Sequence, residues 1–148
     1  RNAIADRYGD GEIVLMDETK AVSAKSRAHE FAFLNDAWLS LPEAMADAFP
    51  TVEHLRKRAL ILGGFYHETI IDAGTNAAAL RVAAYAKHKD GFAHIVVRGP
   101  LVVERVAKSQ ASRVMDKAEF QASKQAVIDV VSAMLGVPPE ALTSARAA

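Results

Sequence analysis

From Arg27 onward, apolar residues recur at steps of three and four. Ala28, Phe31, Leu34, Trp38 and Leu41 fall on one face of a helix. Before that stretch the pattern differs. Arg1 to Tyr8 reads as the end of a helix stopped by Gly9-Asp10-Gly11. Glu12 to Asp17 reads as a strand centred on Ile13, Val14 and Leu15, and the polar run to Ser26 as a loop. After Leu41, Pro42 opens a short helix towards Phe49, closed by Pro50. Thr51 caps a third helix over Val52 to Leu62, with Glu53 near its positive end and Gly63-Gly64 as its stop.

The second half alternates strand and helix. Phe65 to Asp72 is rich in aromatic and β-branched residues, as strands are. Thr75 caps a helix from Asn76 to about Lys87, ended by Asp90-Gly91. Phe92 to Arg98 and Leu101 to Ala107 are strand-like runs with only Gly99-Pro100 between them, which suggests a hairpin. Asp116 followed by Glu119 has the form of a capping box, and Gly136 stands where a helix C-terminus favours glycine. Phe120, Val127, Val131, Met134 and Leu135 make the apolar stripe between them, and Pro138-Pro139-Glu140 begins a short terminal helix. The expected fold is α+β: a small antiparallel sheet packed against several helices, with a long C-terminal helix.

Composition changes this picture little. The chain has 148 residues and reads as one domain, long enough for a real core without disulfides or a structural metal. It begins at Arg1 rather than Met, so a removed leader or an absent first strand stays open. No cysteine is present, which excludes disulfides, thiolate zinc sites and cysteine nucleophiles. No apolar run approaches the length of a membrane span.

Signals for catalysis are weak. His29, His54, His67, His88 and His94 have no metal-ligand spacing; His29 is expected to cap or pack at a helix start and the others to lie on surfaces. Glu12, Asp17, Glu68, Asp72 and Glu104 lie on or beside the expected strands, and a metal-dependent nuclease would need them to converge. No phosphate-binding loop or dinucleotide turn occurs, and no cofactor is expected.

Charge is more informative, because 18 Lys plus Arg and 18 Asp plus Glu sum to zero yet are segregated. Ala28 to Leu55 holds Glu30, Asp36, Glu43, Asp47 and Glu53 without one Lys or Arg. Lys25 and Arg27 precede it, and Arg56-Lys57-Arg58 follow it. A second basic group comprises Arg105, Lys108, Arg113, Lys117 and Lys124. Cations alternating with Ser and Gln, as in Lys108-Ser109-Gln110-Ala111-Ser112-Arg113, suit a phosphate backbone. The expected phosphate contacts are Lys25, Arg27, Arg56, Lys57, Arg58, Lys108 and Arg113, with Ser109, Gln110 and Ser112 as hydrogen-bonding partners. Tyr66, Tyr85 and Phe92 are candidates for base stacking, with Phe92 better explained by packing. A competing reading is a protein-interaction module whose acidic stretch presents Trp38 and Phe49 as anchors.

The segment Ser109 to Phe120, a Ser-rich turn, then Met115, then Glu119-Phe120 early in a helix, resembles the C-terminal motif of the phage lambda Orf (NinB) recombination-protein family. Lys25-Ser26 before the Trp-containing helix is similar to that family's basic-Ser dipeptide, and Glu53 to Phe65 takes the place of its next helix. Phe31-Ala32, Asn35-x-Ala37-Trp38, Leu41-Pro42-Glu43 and His54-Leu55-Arg56-Lys57 resemble phage and prophage proteins of alphaproteobacteria. The likeness runs in short islands over roughly Lys25 to Val137. The family's Gln-Asn after the basic-Ser pair is replaced here by Arg27, Ala28, His29 and Glu30. The expected location is cytoplasmic, and the resemblance implies a non-catalytic α+β homodimer. It would bind single-stranded DNA without strong sequence preference and help load a recombinase past single-strand-binding protein.

Overall fold

The computed structural model describes the backbone over residues 9–142 and the side chains over 24–142. Eight elements follow in order: α1 (Gly9–Leu39), α2 (Glu43–Ala46), α3 (Val52–Leu62), β1 (Tyr66–Asp72), α4 (Asn76–Lys89), β2 (His94–Arg98), β3 (Leu101–Ala107) and α5 (Lys117–Leu135). The chain turns helical again over 139–142. The result is the expected α+β architecture with a three-stranded antiparallel sheet and a long helix near the C-terminus.

The N-terminal expectation is corrected. Where a glycine stop, a strand over Glu12 to Asp17 and a loop to Ser26 were expected, one helix runs through. A short apolar run such as Ile13 to Leu15 cannot be told from a turn of helix by periodicity alone. Its surroundings (Leu15, Met16, Glu18, Lys20, Ala21, Ala24, Lys25) are good helix formers. The expected helix end over Arg1 to Tyr8 lies outside the described residues. The buried face of α1 is also rotated from the expected stripe. Glu30, Phe33, Leu34 and Ala37 are buried, whereas Ala28 is exposed and Phe31 is 65% exposed.

Beyond α1 the expected punctuation holds closely. The Trp38 indole N–H donates to the Phe49 carbonyl at 2.8 Å, tying the segment that contains α2 back to α1. Pro42 is the residue just before α2, one position earlier than expected. The Thr51 hydroxyl accepts the His54 backbone N–H and so caps α3. α3 ends where it meets α5: a Cβ on Gly63 would lie 2.9 Å from the Ala126 Cβ. Gly63→Ala is therefore expected to push the two helices apart and lower stability by about 1–3 kcal/mol, read from the urea midpoint.

In the sheet the order is β1-β3-β2, with β3 antiparallel to both neighbours. β1 and β2 therefore point the same way, and α4 makes the crossover between them. Ala79, Ala83 and Ala86 of α4 are small enough to lie against Ile95 and Val102, which forms one core. The second core is helical and is built from Phe33, Leu34 and Ala37 of α1, Leu55, Ala59 and Leu60 of α3, and Val127, Ile128 and Val131 of α5. Phe65 and Ala107, at the adjoining ends of β1 and β3, pack against it. α5 starts at an Asp116 cap whose Oδ1 accepts the Glu119 N–H at 2.8 Å. It ends in a Schellman turn at left-handed Gly136, with the Val137 N–H donating to the Ser132 carbonyl.

Candidate nucleic-acid interface

The chain leaving β3 crosses the mouth of the helical core before entering α5, and Gln110 is its buried anchor. The Gln110 Nε2 donates to the Glu30 carboxylate at 2.9 Å and to the Ser123 hydroxyl at 2.8 Å. Its Oε1 accepts from the Arg56 Nη1 at 2.6 Å. The Ser123 hydroxyl in turn donates to the Phe120 carbonyl. One amide thus joins α1, α3 and α5, and it supplies the donor that a buried carboxylate such as Glu30 requires.

Arg56 is held from a second side. Its Nε and Nη2 donate to the two oxygens of Glu53 at 2.8 and 2.7 Å, a bidentate fork. That hydrogen bond, with the neighbouring cationic charge, holds the Glu53 carboxyl below its ordinary value despite its partial burial. The same bond raises Arg56. A carboxyl lowered by folding stabilises the fold above its unfolded value, and that contribution is lost as pH falls through the folded one. The stability difference between wild type and Glu53→Gln is expected to shrink as pH falls below 4.5, in acid-dependent urea melts. The effect will be small, because the Glu53 side chain is 44% exposed.

Around this anchor the cations gather. The Arg27 guanidinium lies over the Phe120 ring, 4.3 Å from its centroid. The Lys57 ammonium stands over the Phe92 ring at 4.4 Å and is 3.9 Å from Glu53, a loose ion pair. Lys108 is 3.6 Å from Glu119. Together Arg27, Arg56, Lys57, Lys108, Ser109 and Gln110 line an open cleft of about 770 Å³, with exposed Phe31 contributing an apolar patch above buried Leu34. Glu30 and Glu53 also line it, so its positive charge is partly balanced.

Six of the ten expected site residues therefore converge. The other four do not line the cleft: Lys25 is exposed on α1, Arg58 is half-buried and bears by its charge on His94 of β2, and Ser112 and Arg113 are exposed in the turn before α5. The role expected of Gln110 is corrected too, since it is buried and bonded on both ends of its amide and so positions Arg56. Glu30, Glu53 and Ser123 were missed. A carboxylate at 30, set three and four residues before buried Phe33 and Leu34, was the readable sign of a buried polar contact.

Other expectations also change. Trp38 and Phe49 pack against the helical core and are bonded to each other, so they are not free anchors. Phe92, by contrast, packs as expected, beneath Lys57 and His54. Tyr66 lies under Arg105, and Tyr85 is 64% exposed. His29 is exposed within α1 rather than at a helix start, and His54 and His94 are half-buried rather than on the surface. Glu104 faces the side of the sheet opposite to Glu68 and Asp72, as its alternation with Arg105 requires. Among the described residues no group of three or more His, Asp or Glu could hold a metal ion, and no helix is long and apolar enough to cross a membrane. The side chains of Glu12 and Asp17 lie outside the described residues.

No protein-family model, curated protein or solved structure matches this chain.

Proposed function

We propose that this protein binds single-stranded DNA, without strong sequence preference, in the cleft between α1, α3 and the segment joining β3 to α5. The observation that carries the reading is convergence: cations from three distant stretches, Arg27, Arg56-Lys57 and Lys108, line one concavity beside an apolar patch. Phosphates would meet Arg27, Lys57 and Lys108, while Arg56 is fixed by Glu53 and Gln110 and presents its remaining N–H groups. The loose pairs of Lys57 with Glu53 and Lys108 with Glu119 are easily exchanged for phosphate, because exposed ion pairs of this kind are weak. Phe31, 65% exposed, offers bases an apolar surface.

The wider role is that of a phage-derived accessory factor in recombination, acting as a homodimer beside a recombinase or single-strand-binding protein. Support for it is the resemblance of Ser109 to Phe120 to the lambda Orf family. Fluorescence anisotropy with a labelled oligo-dT across a salt series is the test. Binding is expected to weaken with salt at a log–log slope near −2, about 0.7 for each of three phosphate contacts. A slope near zero, or no binding at low salt, would overturn the proposal.

A further inference from the structure

The cleft leaves one surface unexplained. α4 packs against the face of the sheet that carries Ile71, Ile95, Val97 and Val102. The opposite face forms a shallow groove of about 280 Å³ with Ile70, Val96 and Val103 as its floor, and Ile70 is 60% exposed. Arg98, Arg105 and His94 rise from that floor on β2 and β3.

Its charge is unbalanced. Glu68 is committed to Arg105 at 2.8 Å, and Asp72 to the Gly74 backbone N–H at 2.9 Å. Among the described residues Arg98 and Arg58 make no hydrogen bond or ion pair, and the Arg58 Nε is buried without a hydrogen-bond partner there. Successive residues on α3 turn by about 100°, so Arg56 and Lys57 line the cleft and Arg58 does not; Arg58 lies near enough to His94 for its charge to bear on the imidazole. Burial, with the charges of Arg58, Arg105 and Lys87, holds the His94 imidazole below its ordinary value. Among the described residues that line this groove, Glu68 is the one carboxylate against Arg98, Arg105 and His94, and the charge of Arg58 adds to the positive excess at the His94 end.

We propose that the open sheet face is a second binding surface for the same single strand. A phosphate would sit at the corner of Arg58, His94 and Arg105, with the following bases laid over Ile70, Val96 and Val103 towards Arg98. This rests on the cleft reading. Lys57 over Phe92, which lies just before β2, bridges the two surfaces, so a strand leaving the cleft meets the corner next. Charge complementarity favours nucleic acid: with Glu68 paired to Arg105 the groove offers Arg98 free, over an aliphatic floor that base faces can cover, and Arg58 adds its charge at the His94 end.

The experiment compares wild type, Arg58→Ala and Arg98→Ala with oligo-dT of increasing length, each variant checked by circular dichroism. The shortest oligonucleotides that bind should bind all three proteins equally. Longer ones should bind the variants more weakly, with the salt slope reduced by about 0.7 for each arginine removed. In wild type, the His94 ring should titrate at a higher pH when long oligo-dT is bound and not when short oligo-dT is bound, followed by NMR. Variants equal to wild type at every length, or an unmoved His94, would overturn the second surface while leaving the cleft intact. Arg98→Ala keeps the test decisive if Arg58→Ala does not fold, since Arg98 is exposed. Polyglutamate moving His94 where oligo-dT does not would assign the face to an acidic protein instead. Failure of wild type to bind oligo-dT of any length would remove the cleft reading and this one together.

Discussion

Gln110→Leu is expected to be the most damaging single substitution at the site, costing about 3 kcal/mol of stability. Leucine fills similar space but removes the donor to Glu30, the donor to Ser123 and the acceptor for Arg56. Among the described residues Gln110 is the hydrogen-bond donor to the Glu30 carboxylate, which is only 5% exposed. A buried carboxylate without its donor bears a larger penalty than a lost neutral hydrogen bond. For a chain of this length each kcal/mol lowers Tm by about 2–4 °C, so a drop of roughly 6–12 °C is expected. Glu30→Leu combined with Gln110→Leu should cost less than the sum of the two single changes, because the stranded charge is then gone. A Tm for Gln110→Leu within a degree of wild type would show that this network does not hold the helices together.

The largest effect on binding is expected from reversing two charges, Lys57→Glu with Lys108→Glu. Both lysines line the cleft and are only loosely paired, at 3.9 Å to Glu53 and 3.6 Å to Glu119. A hydrogen bond to a charged group is worth about 1.5–3 kcal/mol, so losing two amounts to a hundredfold or more in Kd before repulsion is counted. Stability should barely change, since the pairs being broken are exposed ones. The opposite change gives the complementary result. Glu119→Gln removes the carboxylate that competes with phosphate for Lys108, and it should tighten binding and steepen its salt dependence. Competition binding with oligo-dT reads both, and unchanged affinity in the double reversal would place the DNA elsewhere.

What the sequence made legible is mostly punctuation. Thr51, Thr75 and Asp116 accept backbone N–H groups at the three helix starts where their hydroxyl or carboxylate chemistry predicts it. Gly136 adopts the left-handed conformation that glycine favours, and the hairpin turns at Gly99-Pro100. These are local decisions, made within a few residues, so one chain suffices to read them. The path of α1 was not legible, because Glu12 to Asp17 carries the same apolar count as a strand or as a helical turn. Which face of α1 is buried depended on where α3 and α5 lie, and that information is not local: large Phe31 is left out while small Ala37 goes in. The site shows the same division. The basic segments could be listed from the sequence, but the convergence of Arg27, Lys57 and Lys108 required the chain path through Gln110. The separation of Arg58 from Arg56 followed from the helical turn itself.

On the proposed reading the cleft, and not the exposed basic turn before α5, holds the phosphates. Salt slopes for oligo-dT binding by wild type, Lys57→Ala, Lys108→Ala and Arg113→Ala measure this most directly. The cleft predicts a loss of about 0.7 in slope for each of the two lysines and none for Arg113, which is exposed outside the cleft. A slope that falls with Arg113→Ala and stays at the wild-type value with both lysine variants would contradict it.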